Sequence, residues 1–413
     1  MTLLSGKFPV KTAFPAWLWF LLLGFSLLHT TRIVLNPPGP DRIIDFRPVY
    51  LAQRLLVQGK DPYLERNIQQ EWQKVVEQEG IASAYVPVWP LSHVIYPPWA
   101  LSMLSWLSLF SYTVAYVLWY SSLPFLLSFI LFAIARFSKL EMQYADLLLL
   151  SLAFKGTVAS MLVGQPTFLS LALAFSALLA VNRRPFISGL LLGLAAFKVT
   201  VALPFVLFFI INKKFKALVA AGSTGAILLL ISLVLSSEPI TMLENYAANV
   251  SFMVDSFYDP HRPEYPLNYV MITTTEITAL LEFLWRGSSD AVGPVKNMLL
   301  ALLFGFIWWR HQKRKFNDVY LLLLLSAGVL LTTYHLFYDA LLLLLLFPLS
   351  FQFTKRKRML LLILLLPLFL PVNGLLDRLN VSTQLHFLYF SLPVVLLFLL
   401  IWLLVHPVYA DQE

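Results

Sequence analysis

The stretch NRRPFISGLLLGLAAFKVTVALPFVLFFIINKKFK, residues 182 to 216, decides how this chain is folded. Arg183 and Arg184 open it and Lys213, Lys214 and Lys216 close it. Lys198 divides the apolar run between them into residues 186 to 198 and 199 to 211. A helix rises about 1.5 Å per residue and a bilayer's hydrocarbon core is about 30 Å thick, so each half is short for a crossing. Short loops rich in Lys and Arg stay on the cytoplasmic side. Two half-length helices meeting near the outer face keep both basic clusters there, whereas a single span with Lys198 buried would leave Arg183 and Arg184 outside. The hairpin is the preferred reading.

Working outward, 59% of the 413 residues are apolar and 13% are charged, where soluble domains run about 25% charged. The chain reads as an all-α polytopic membrane protein, one transmembrane domain over residues 1–413. Basic groups recur at Lys7 and Lys11, Arg136 and Lys139, Arg310 to Lys315 and Lys355 to Arg358. Threading apolar runs between them gives about 12 spans at about 20 residues each: residues 14–35, 112–135, 143–161, 165–181, 186–198, 199–211, 217–236, 294–309, 317–333, 339–353, 359–372 and 387–405. Both termini then lie inside. The first span, with its basic flank and no A-x-A site, reads as retained rather than cleaved. Zero cysteines exclude disulfides and thiolate metal sites. The net charge of +8 sits in the short loops, which suits membrane lipids and not nucleic acid.

Two regions remain for the outer face, 36–111 and 237–293, and they hold 15 of the 22 acids. Within the first, Asp45 to Gln58 has helical apolar spacing and stops at Gly59, as a glycine-capped helix should. Residues 97–110 read as a helix lying along the interface, with Trp99 and Trp106 in the aromatic belt.

Asp45 stands at that helix's start, where an aspartate is a favoured N-cap. It is equally placed to act as a general base at the mouth of the bundle, with Asp41 as the alternate. Lys155 and Lys198 are charges inside spans, which usually face a polar interior; near the outer ends of neighbouring helices they could hold a phosphate, and snorkelling is the plainer account. His335 and Asp339, four apart, share a helical face, so the acid could fix the histidine's tautomer while the ring contacts phosphate. Arg262, in Asp259-Pro260-His261-Arg262, offers another cation, and a solvated loop explains it equally. Gly164-Gln165-Pro166 reads as a turn. Asn249-Val250-Ser251 and Asn380-Val381-Ser382 match the glycosylation pattern, a weak signal. No metal site is indicated, because His335 with Asp339 is only two ligands.

The order Asp45-Phe46, Tyr50, Ala52, Gly59, Pro62-Tyr63, then Tyr96-Pro97-Pro98, Gly164-Gln165 and Gly189, Gly193-Leu194, Lys198 resembles the GT-C superfamily of membrane glycosyltransferases, and more narrowly glycosyltransferase family 87. The chain departs from the family in having Pro166 where an asparagine is common. What the resemblance implies is a sugar passed from a polyprenyl phosphate to a lipid or glycan hydroxyl, with inversion, at the outer face of a cell (inner) membrane. The sugar would be mannose or another hexose or pentose. It implies Asp45, or Asp41, as base; Lys198, Lys155, His335 and Arg262 for the donor phosphate; and Tyr50, Tyr63, Tyr96, Gln165 and Asp339 for substrate contacts. No cofactor is called for; a divalent cation is compatible with these residues but not indicated. Two other classes share parts of the pattern. A transporter or flippase of lipid-linked sugars predicts an internal repeat, and none is visible. An O-antigen polymerase or ligase type of glycan transferase shares the one-sided loops and leaves the Asp45 to Tyr63 pattern unexplained.

Overall fold

A computed structural model gives the fold and describes residues 45–81, 94–139, 144–258, 289–333, 337–369 and 392–410, with short pieces between 23 and 31 and residue 277. Most of the expected first span, Asp41, Arg262, His335 and Asn380 therefore lie outside the described residues. Everything regular among the described residues is helical, apart from an isolated bridge between Phe316 and Tyr409.

Three helices form the polar end: α1 (Phe46–Val57), α2 (Glu65–Glu79) and α3 (Pro98–Leu104), the last running into a 3-10 turn over Ser105–Leu109. The bundle follows with α4 (Tyr112–Ser138), α5 (Tyr144–Ala153), α6 (Lys155–Val163), α7 (Thr167–Ala180), α8 (Pro185–Ala195), α9 (Val199–Ile211) and α10 (Phe215–Leu235). After α11 (Pro239–Tyr258) come α12 (Ser289–Lys313), α13 (Asp318–Thr332), a 3-10 helix (Phe337–Leu345), α14 (Leu346–Ser350), α15 (Lys355–Leu365) and α16 (Leu392–Val405).

By length and apolarity α4, α10 and the run Pro185–Ile211 could each cross a membrane, and α5 with α6 would add a fourth if that pair, bent by 69°, counts as one span. Most of the other expected spans appear as helices of 10–17 residues, shorter than a crossing helix needs.

Contacts decide the geometry of Pro185–Ile211. A straight helix of that length would hold its ends about 40 Å apart, yet Lys214 Nζ donates to Asn182 Oδ1 at 2.8 Å. The chain must reverse between them. It does so at Lys198, whose φ of −112° and ψ of 82° leave the helical region after the 3-10 turn Ala196–Lys198. The half-helix hairpin expected from the basic clusters is the one found. Its tightest seam lies against α10, where a Cβ on Gly189 would stand 2.3 Å from the Ala217 carbonyl oxygen and one on Gly193 2.6 Å from that of Ala221. Only glycine admits so close a crossing.

These contacts also sort the two ends of the bundle. Asn182, Lys214, Arg310, Asn317 and the α16 C-terminus share the basic side: Asn317 N–H donates to the Val408 carbonyl at 3.0 Å and Arg310 to Tyr409 Oη at 2.9 Å. The opposite end carries α1, α3, the hairpin tip and the far end of α10, joined where Ser102 and Ser232 hydroxyls meet at 2.5 Å.

At that end α1 buries Phe46, Val49, Tyr50, Leu51, Leu55 and Leu56 and terminates as expected. Gly59, at φ +73°, lets its own N–H reach the Leu56 carbonyl while Lys60 N–H reaches that of Leu55, the double closure of a Schellman turn. The expected interfacial helix is α3 with its 3-10 continuation. Trp106 is 47% exposed and suits an interface. Trp99 is half-buried, and its indole N–H donates to the Ala196 carbonyl at 3.0 Å, tying α3 to the hairpin tip.

Acids expected to form a working outer surface partly hold the fold instead. Glu71, 2% exposed, pairs with Arg54 at 3.0 Å and accepts from Gln58. Glu79 accepts the N–H groups of Tyr112 and Thr113 at 2.6 and 2.9 Å, so it caps the first turn of α4, where a negative charge complements the helix dipole.

Candidate functional site

One polar cluster gathers side chains from four distant parts of the chain. Asp45 precedes α1, Gln165 sits in the turn between α6 and α7, Lys198 is at the hairpin tip, and Asp339 lies in the 3-10 helix Phe337–Leu345. Gln165 Nε2 donates to Asp45 Oδ2 at 2.5 Å. Its Oε1 accepts from Lys198 Nζ at 2.9 Å. Lys198 Nζ also reaches Thr167 Oγ1 at 2.6 Å and Asp339 Oδ1 at 2.6 Å, and the Thr167 hydroxyl donates to Asp339 Oδ1 at 2.7 Å.

Local structure explains why these groups converge. Gly164 closes α6 in the left-handed region at φ +69°, a conformation that favours glycine. Trp119 Nε1 holds its carbonyl at 2.8 Å. Gln165 N–H bonds back to the Ser160 carbonyl at 3.0 Å, and the Ser160 hydroxyl donates to the Tyr338 carbonyl at 3.2 Å, which anchors the segment carrying Asp339. On the other side Asp45 N–H donates to the Val163 carbonyl at 3.3 Å, stitching α1 onto the end of α6. Lys198 lies over the Tyr338 ring, 4.7 Å from its centroid, within cation–π range.

The electrostatics set Asp45 apart. Burial raises its pKa from 3.8 to about 6, against the lowering effects of the Gln165 hydrogen bond and the Lys198 charge, with the Asp339 charge pushing upward. A carboxyl in that range is poised to exchange protons near neutral pH. The cap reading is corrected: Asp45 makes no side-chain cap bond to α1, because its carboxylate turns to Gln165 instead.

Other expected site residues stand elsewhere. Lys155 opens α6, at the opposite end of that nine-residue helix from the Gly164 turn. Tyr50 is buried, donating its hydroxyl to the Phe110 carbonyl at 2.8 Å and accepting from Arg54 at 3.1 Å. Tyr63 donates to the Tyr96 carbonyl at 2.8 Å, and Asn249 reaches the Tyr63 carbonyl at 2.9 Å. Both hydroxyls thus bind the polar layer together and neither meets Asp45. Asp339 pairs with Lys198, and its expected neighbour His335 lies outside the described residues. Thr167 escaped the sequence reading because a hydroxyl at the first turn of a helix reads as a helix-start residue.

Residues 94–337 match the family described as Glycosyltransferase family 87. The chain belongs to glycosyltransferase family 87. No curated protein and no solved structure matches it. The stretch shared with family 87 includes Gln165, Thr167 and Lys198, while both carboxylates, Asp45 and Asp339, fall outside it. Folding closes that gap, since the cluster joins the carboxylates through the family segment. As a family 87 glycosyltransferase the chain uses a sugar donor and an acceptor, which separates it from a transporter.

Proposed function

We propose that the chain moves a sugar, mannose or another hexose or pentose, from a polyprenyl phosphate to a hydroxyl of a lipid or glycan acceptor, at the outer face of a cell (inner) membrane. Asp45 is the general base. The observation that carries this reading is the Asp45 carboxylate held by Gln165, itself bonded to Lys198, at the end of an apolar bundle opposite its basic groups. Short basic segments remain cytoplasmic, so the Asp45 end faces outward, where polyprenyl-linked sugars meet their acceptors. Asp45 removes the acceptor proton as its oxygen attacks the anomeric carbon. The polyprenyl phosphate leaves from the opposite face as an anion, and a single displacement inverts the configuration. Departure of an anion asks for nearby cations more than for an acid; Lys155, His335 and Arg262 are assigned to it. No metal or nucleotide enters this scheme.

The test is purified full-length protein in nanodiscs, given radiolabelled polyprenyl-phosphate sugars and a panel of lipid acceptors. Release of polyprenyl phosphate with a labelled, inverted product is expected. Folded protein that turns over none of the panel overturns the donor assignment.

A further inference from the structure

We propose that Asp339, Thr167, Lys198 and Gln165 are a relay of positioning residues that holds the Asp45 carboxylate as the base, so that Lys198 acts through Asp45 and not as a ligand of the departing phosphate. The proposal rests on the transferase reading above and deepens its site.

The hydrogen bonds leave little freedom. An ammonium has three N–H donors, and Lys198 Nζ has three acceptors, Gln165 Oε1, Thr167 Oγ1 and Asp339 Oδ1, at 2.9, 2.6 and 2.6 Å. A phosphate oxygen could reach it only by displacing one of them. Lys198 and Asp339 side chains are 11% and 3% exposed, so the pair is largely sheltered from water. Gln165 is fixed in one sense: its oxygen faces the ammonium and its amide nitrogen faces Asp45. Flipping the amide would set N–H against N–H at one end and oxygen against carboxylate at the other. The amide therefore couples the Lys198 charge to Asp45 by orientation as well as by field. Thr167 closes the loop, accepting from Lys198 and donating to Asp339 at 2.7 Å.

Among the described residues, the charges facing Asp45 come from two elements, Lys198 at the hairpin tip and Asp339 in the 3-10 helix. Arg47, on its own helix, lies over Trp72 at 4.3 Å from the ring centroid. Glu71 and Arg54, between α1 and α2, pair with each other, and Glu79 caps α4. Tyr338 faces the relay through its ring.

These roles give opposite signs to two substitutions. Lys198→Met removes the attraction and frees the Gln165 amide, so the Asp45 titration moves up by about half a pH unit or more. Asp339→Asn removes a like charge, and the titration moves down. The double variant Lys198→Met/Asp339→Asn removes the Lys198–Asp339 pair as a unit, leaves neither partner charged and alone, and so guards against misfolding of either single one. Lys198 outweighs Asp339 in its effect on Asp45, so the double variant titrates above wild type and below Lys198→Met.

The measurement is infrared titration of full-length protein with labelled aspartate, taken as the difference from Asp45→Asn, which needs no substrate. The order Asp339→Asn, wild type, double variant, Lys198→Met in rising pH supports the relay. An unmoved Asp45 transition in Lys198→Met and in the double variant overturns it. A second arm uses a polyprenyl-phosphate mannose donor: the relay predicts that Lys198→Met lowers kcat with its acid limb displaced and KM for the donor little changed. A raised donor KM with an undisplaced limb marks Lys198 as a phosphate ligand and overturns the proposal. A shifted infrared titration in protein that transfers no sugar would retain the relay and reject the transferase donor.

Discussion

Replacing Asp45 with Asn is the most informative perturbation, because the structure separates what it removes from what it keeps. The side chain's shape and one carbonyl oxygen remain, so Gln165 Nε2 keeps an acceptor. The backbone bond from residue 45 to the Val163 carbonyl is untouched. No helix cap is lost, since Asp45 makes none, and the usual capping cost of about 0.5–2 kcal/mol does not apply. What disappears is the basic oxygen. With a pKa of about 6, Asp45 is almost wholly ionised at pH 7.5, so the substitution deletes a base that is fully present. General-base assistance contributes about 100- to 10,000-fold, equivalent to about 3–5 kcal/mol in the barrier, and kcat should fall by that much.

The sign of the stability change follows from the direction of the shift. A folded-state pKa above the unfolded value of 3.8 means that the folded chain holds this proton more tightly. Stability from this group is therefore greatest below pH 4, falls between pH 4 and about 6, and is flat above. Removing the ionised carboxylate relieves a cost of order 3 kcal/mol at neutral pH at most, so Tm should hold or rise. Wild-type turnover should climb about tenfold per unit below pH 6 and level off above it, and the variant should lose that limb. Single-turnover transfer in nanodiscs across pH 4.5–8, with thermal unfolding in parallel, reads both. Turnover within about tenfold of wild type refutes the assignment. If Asp41→Asn then abolishes transfer, Asp41 is the base.

Three further outcomes follow from packing and charge. Gly193→Val drives a side chain into Ala221 and Thr224 at 2.6 Å, and overpacking of this kind costs about 1–3 kcal/mol; a Tm equal to wild type would show that the α8 and α10 seam is looser than described. Glu71→Ala leaves Arg54 half-buried without its partner and should lower stability by about 3 kcal/mol while leaving the Asp45 titration in place; a displaced titration would contradict the separation of the two clusters. A single cysteine at Arg184, in a chain with no other, should react with an impermeant thiol reagent only after the membrane is opened, and labelling in intact cells would reverse the proposed orientation.

Much of the fold was legible because its signals are local. The helix Phe46–Val57 and its Gly59 stop follow from apolar spacing and one glycine, and the hairpin follows from two basic clusters and a lysine between them. The helix Glu65–Glu79 was missed although Ile68, Trp72 and Val75, its buried apolar residues, stand at helical spacing. Three apolar positions among so many charges make a weak stripe, and the polar end of the molecule supplies the rest of its burial. Side-chain partners were the least legible feature. Glu71 has the composition of a solvated acid and becomes a buried one only when α2 folds across Arg54. Asp339 pairs with Lys198, 141 positions away, a partner that no local spacing announces.

The same contrast accounts for how the site could be suspected residue by residue without its connections being seen. Gly164 and the tip at Lys198 are each demanded by backbone geometry, a left-handed turn in one case and a chain reversal in the other, so the spacing around them is visible in sequence. Those turns deliver Gln165 and Lys198 to one point, and that point lies outside the reach of any single motif. A lysine met alone in an apolar helix invites an external anion, because a lone charge there needs a partner. Once Asp339 and Thr167 stand within hydrogen-bond reach, that need is already met inside the protein. The charge is then free to act on the neighbour it is wired to, which is Asp45 through the Gln165 amide. A site's chemistry depends on which acceptors its donors have already taken, and that is a property of the folded chain.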